Sequence, residues 1–203
     1  LEPVLPCVLT RLESLTFAVR AGEIPAAPTR PLATSLLQVL VALGPHVAPA
    51  SRYVGLGVAL AQLLRTFPTN DHFSAIWVAQ VARMNPDDYE RTLHALSSAL
   101  EPGTACKPPE CAALLQVLSL LLQHGAPGTG RPARMHFSAL LVRLAVLLPD
   151  MPTITLAAVQ LLEHVCQNRA RMLRAPDVPR LLALLGQVVG ARSSPPSAAD
   201  ASA

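Results

Sequence analysis

Leu36-Leu37-Gln38-Val39-Leu40 returns as Leu114-Leu115-Gln116-Val117-Leu118, 78 residues or two steps of 39 further along the chain. Stacked helix pairs repeat at roughly 40 residues. Both copies sit in leucine-rich windows with three- and four-residue apolar spacing, and both are closed by glycine, Gly44-Pro45 after the first and Gly125 after the second. That spacing belongs to a helix with one buried face, and glycine or proline just past the last periodic residue ends it.

Outward from these two segments the same signals recur. A first helix is expected over Val4 to Ala21, with Leu5, Val8, Leu9, Leu12, Leu15 and Val19 on one face and Gly22 as its stop. A proline-rich connector, Ile24 to Pro28, should lead into a second helix from Pro31 to Leu43. The third is expected from an N-cap at Ser51 to Phe67, with Gly55 and Gly57 inside it serving close helix approach. A fourth runs from Asn70-Asp71 to Met84, with Phe73, Ile76, Trp77 and Val81 inward.

The fifth has the clearest start. Asn85 caps, Pro86 takes the first helical position, and Asp87 and Asp88 face the positive helix end. It ends by Leu100, and the sixth follows from Pro109 to His124. After the connector Ala126 to Pro132, a seventh spans Arg134 to Leu148, an eighth Pro152 to Met172 and a ninth Val178 to Val189. The second, fourth, sixth and eighth helices thus start near 31, 70, 109 and 152, in steps of 39, 39 and 43. No stretch alternates as a strand does. The class is all-α, either a stack of about four helical hairpins or an irregular helical bundle. Residues 1–190 form the helical domain, and the Ser/Pro/Ala-rich stretch 191–203 reads as a disordered tail. Because the chain opens at Leu1, it is expected to be a piece of a longer protein.

The segment Leu147-Leu148-Pro149-Asp150-Met151-Pro152-Thr153-Ile154-Thr155-Leu156-Ala157-Ala158-Val159-Gln160-Leu161-Leu162 resembles the hairpin turn of a HEAT repeat. Asp150 and Pro152 match the turn positions, and Ile154, Ala158 and Leu162 match the opening of the second helix. Thr155 departs from the pattern, where that family commonly carries Arg or Lys. The motif is covered over 137–165, and the remainder agrees in period and helix content alone. The resemblance implies an armadillo/HEAT-type α-solenoid, in which each hairpin needs neighbours to bury its apolar faces.

Composition narrows the setting. Hydrophobic residues make up 51% and charged residues 14% of 203, where about 25% charged is usual. Mean hydropathy is +0.40. A membrane span needs about 18 uninterrupted apolar residues. Gln38, Arg52, Arg65, Gln116, Ser119 and Arg143 cut or flank every apolar run before that length, so no membrane role is expected. The net charge of +3 is too small to argue for nucleic acid by itself.

Of the four cysteines, Cys7 and Cys166 read as small core residues, while Cys106 and Cys111 flank Lys107-Pro108-Pro109-Glu110 without any CxxC pair. The compartment is expected to be reducing and intracellular, nucleus or cytoplasm. Glu163-His164-Val165-Cys166 cannot easily share one ion, because adjacent helical residues point about 100° apart. No Walker loop, GxSxG or HExxH occurs. No catalytic residue, metal, cofactor or small-molecule substrate is therefore assigned. Asp87, Asp88 and Glu90 are explained by their helix start.

The one candidate binding patch is Arg169, Arg171, Arg174 and Arg180 around the last helical turn, suited to an acidic protein segment or a phosphate backbone. Its bland reading is a solvated helix end. Function is expected to be non-enzymatic: a protein-interaction scaffold in a larger assembly, holding a partner helix or extended peptide. The alternative is a nucleic-acid-associated factor, of chromosome or ribosome assembly, that uses the arginines.

Overall fold

The computed structural model of the chain describes residues 4–43, 49–67, 71–100, 108–125, 131–150, 154–168 and 173–193. Among them every regular element is helical: α1 Val4–Arg20, α2 Ala26–Leu43, α3 Pro49–Thr66, α4 Asp71–Val81, α5 Pro86–Ser98, α6 Pro108–His124, α7 Arg131–Asp150, α8 Thr155–Asn168 and α9 Asp177–Ser193.

The helices pack in two rows. The odd-numbered ones follow one another, α1 on α3, α3 on α5, α5 on α7 and α7 on α9. In the second row α4 lies on α6 and α6 on α8, while α2 rests on α1 and α3. The rows meet through α3 against α4 and α6, α5 against α6, and α8 against α9. A single apolar core runs between them, with Leu12, Leu60, Trp77, Leu93, Leu118, Leu140 and Leu161 among its fully buried members. Burying one such leucine stabilises the fold by roughly 1.5–3 kcal/mol.

The two copies of the opening pentapeptide show how position in the rows sets burial. In both, the second and fifth residues are buried and the glutamine is exposed. Val117 is fully buried, because α6 has neighbours α3, α4, α5 and α8, whereas Val39 is 43% exposed on α2 at the end of its row.

Several boundaries differ from expectation for local reasons. α2 starts at Ala26 rather than Pro31, so most of the expected connector is helical and Pro31 lies inside the helix. Pro28 falls in the first turn, where its missing N–H needs no partner. Pro31 removes one backbone bond, and the helix is held there by Thr29, whose hydroxyl donates to the Pro25 carbonyl at 2.6 Å, and by buried Ala33, Leu37 and Leu40. α3 begins at Pro49, which puts Ser51 within the first turn instead of at the cap. α4 stops at Val81 and passes through a turn, with Met84 N–H donating to the Val81 carbonyl at 3.1 Å. The second, fourth, sixth and eighth helices begin at Ala26, Asp71, Pro108 and Thr155, so the steps are 45, 37 and 47 rather than near-constant.

The C-terminal elements shift too. α7 is longer than expected at both ends; α8 is described over Thr155–Asn168, and 152–153 and 169–172 of its expected range lie outside the described residues. α9 reaches Ser193, so residues 191–193, expected in the tail, are helical; 194–203 lie outside the described residues. So do Met151, Pro152 and Thr153 of the HEAT-like turn, while Ile154, Ala158 and Leu162 are fully buried.

Other expectations hold in detail. The Asn85 side chain accepts from the Asp88 backbone N–H at 2.8 Å, with Pro86 opening α5. Gly22 stops α1 at φ +76°, a left-handed conformation that favours glycine. Phe73 and Trp77 are core. Cys7 and Cys166 are not: both are exposed, each on the outward side of its helix, and it is Cys111 that is buried. Cys106 lies outside the described residues.

Candidate functional site

The expected arginine patch resolves into a structural knot. Asp177 opens α9 with its side chain fully buried. Ser138 of α7 donates to its Oδ1 at 2.5 Å, and the Arg174 backbone N–H donates to Oδ2 at 3.0 Å. The Arg174 guanidinium donates to Oδ2 at 3.2 Å and to the Ser138 hydroxyl at 2.6 Å. Arg180 Nη1 stands 3.6 Å from Oδ1. Burial alone would raise the Asp177 carboxyl, but the hydrogen bonds from Ser138 and Arg174 and the Arg174 charge outweigh it and hold the group below the usual aspartate range. Of the four arginines, Arg174 thus ties the start of α9 onto α7, while Arg180 pairs with Asp177 within α9. The other two, Arg169 and Arg171, lie outside the described residues.

A second surface feature lies between α6 and α8. Between α6 and α8 runs a furrow made of two adjoining depressions, each of about 370 Å³, which share Gln116 and Gln160. The upper one is bounded by Leu64 and Arg65 of α3, Pro109, Ala112 and Ala113 of α6, and Leu156 and Ala157 of α8. The lower one is lined by Ser119, Leu120 and Gln123 of α6 and by Glu163, His164 and Gln167 of α8. Residues recur at three- and four-residue spacing on both helices, so each helix offers one stripe to the furrow. Since low numbers meet low numbers, α6 and α8 run parallel.

The furrow changes character along its length. Its head is charged. Arg65 pairs with Glu110, and Arg20 stands behind them, its guanidinium lowered by burial and by Arg65 while Glu110 opposes the shift. A third depression of about 340 Å³ opens there and adjoins the furrow at Arg65. The upper floor is apolar, with Leu156 59% exposed between alanines. The lower part is amide-rich: Gln116 and Gln123 of α6 and Gln160 and Gln167 of α8 all line it, two rungs with the same offset of 44 residues. Gln167 donates to Glu163 at 3.1 Å.

Sequence reasoning did not find this surface. The glutamine spacing of seven residues on each helix is legible, but the pairing across the furrow depends on α6 meeting α8, which no local pattern encodes. Among the described residues no group of three His, Cys, Asp or Glu side chains could hold a metal ion. No described helix is long and apolar enough to cross a membrane. No family model, curated protein or solved structure matches the chain.

Proposed function

We propose that the chain is a non-enzymatic interaction module of the armadillo/HEAT type, a stack of helical hairpins that holds a helix or extended segment of a partner protein within a larger intracellular assembly of the nucleus or cytoplasm. The observation that carries this reading is the furrow between α6 and α8, open along its length and furnished with an apolar floor and opposed amides. The two-row packing supports it, because such rows leave parallel helices with an exposed seam between them. The nucleic-acid reading draws less support, since Asp177 offsets one of the two positive charges of Arg174 and Arg180.

A photo-crosslinking residue placed at Gln160, with a control at exposed Glu23, tests the proposal in cells that express the protein. A discrete set of proteins crosslinked from position 160 alone, unchanged by nuclease and high salt, is the expected result. Crosslinks equal to the control, or to nucleic acid only, would count against it.

A further inference from the structure

We propose that the α6–α8 furrow binds an extended peptide of a partner protein that carries an acidic residue and a basic residue four to five positions apart, on either side of an apolar one. This deepens the interaction reading and rests on it.

Length comes first. From Pro109 to Gln123 the furrow follows α6 for about 21 Å at 1.5 Å per residue. An extended chain covers that with about six residues at 3.3 Å each.

The chemistry is then read along the furrow. Gln116, Gln123, Gln160 and Gln167 line this part, and a primary amide carries two donor hydrogens and two acceptor lone pairs, so bonds such as that from Gln167 to Glu163 leave capacity to pair with a peptide backbone regardless of its side chains. The rungs lie seven residues apart, about 10.5 Å, close to three residues of extended chain at about 10 Å. Backbone contacts of this kind give affinity, and side chains entering between the rungs give selectivity.

Charge supplies the polarity. At the head, among the described residues, Arg20 and Arg65 stand against one carboxylate, Glu110, an excess of one positive charge. Glu13, two turns back on α1, accepts from Gln62 at 3.2 Å. At the lower end Glu163 is the one acid lining the depression, beside His164. Level with Ser119 on α6, Glu163 stands about 15 Å along the helix axis from the Pro109 level of Arg65. That span is four to five extended residues. The exposed Leu156 between the two charges takes an aliphatic side chain.

The test is selection of a phage-displayed library of random dodecapeptides on the full 203-residue chain at low ionic strength, followed by titration of synthetic copies of the enriched peptides. Enrichment of an acid and a base four to five positions apart around an apolar residue is expected. Arg65→Glu should weaken binding about five- to tenfold. Arg20→Glu, which leaves the Arg65–Glu110 pair in place, should weaken it in the same direction. The double variant Arg65→Glu/Glu163→Arg should select peptides of reversed polarity. Leu156→Asp, at an exposed position, should abolish binding with the helical circular dichroism unchanged. Enriched peptides that bind wild type and the double reversal equally would overturn this inference while leaving an interaction module. No enriched peptide, together with no crosslinked protein from Gln160, would overturn both.

Discussion

Trp77 of α4 donates its indole N–H to the backbone carbonyl of Val117 in α6 at 3.3 Å, inside the core and across 40 residues of chain. A helix carbonyl has a second lone pair left after its intrahelical bond, so the contact adds a link between two helices without breaking α6. Trp77→Phe removes the donor and part of the ring and should destabilise the fold by about 1–3 kcal/mol. Trp77→Ala should cost about 3–5 kcal/mol. Trp77 is the sole tryptophan, so urea unfolding of both variants is followed by circular dichroism. A Phe variant as stable as wild type would mean that the bond contributes nothing.

Val39 and Val117 hold the same place in identical pentapeptides but not in the packing. Val117→Ala leaves a hole among four neighbouring helices and should destabilise by about 1–3 kcal/mol. Val39→Ala, at the exposed side of α2, should stay within about 0.5 kcal/mol of wild type. Equal losses would show that the edge of the row is covered in solution.

Which parts of this fold could be read in the chain follows from the range of the interactions involved. The α5 start is local, since Asn85, Pro86 and Asp88 act within three residues, and it appears where expected. Phe73 and Trp77 announce themselves by size and spacing. Pro31 lies inside α2 rather than at its start because the apolar face of Ala33, Leu37 and Leu40 outweighs one lost backbone bond. Cys7 and Cys166 misled because apolar neighbours in sequence point to other sides of a helix. The Asp177 knot joins Ser138, 39 residues earlier, to a turn, and the furrow joins helices 44 residues apart. Both depend on which helix lies on which, and that is set by the whole core rather than by any window.

Gly55 and Gly57 sit two residues apart in α3 and should respond oppositely to alanine. A Cβ on Gly57 would lie 3.1 and 3.2 Å from the Leu96 methyls and 3.3 Å from the Trp77 ring, so both side chains, which are buried, would have to give by a few tenths of an ångström. Overpacking of this sort costs about 1–3 kcal/mol, more than the roughly 1 kcal/mol of helix propensity gained. On Gly55 the nearest atom is Leu9 Cδ1 at 3.7 Å, an ordinary contact. Gly57→Ala should lower the thermal midpoint and Gly55→Ala should raise it. The same sign for both would remove close approach as the reason for Gly57.

Asp177 makes the stability of the α7–α9 junction depend on acid. Its folded carboxyl titrates below the usual aspartate value because Ser138 and Arg174 outweigh the effect of burial. A group shifted down contributes stability that is fully present above its unfolded value, about 3.9, and is lost as pH falls through its folded value. Asp177→Asn keeps the shape and removes the charge, and at neutral pH should destabilise by about 1–3 kcal/mol. The difference between wild type and the variant should hold from neutral pH to about pH 5 and shrink below about pH 4, as the wild-type carboxyl takes up its proton. Urea unfolding of both proteins across that range measures it. A difference that stays constant down to pH 3 would mean that the hydrogen-bond geometry, and not the charge on Asp177, ties α9 to α7.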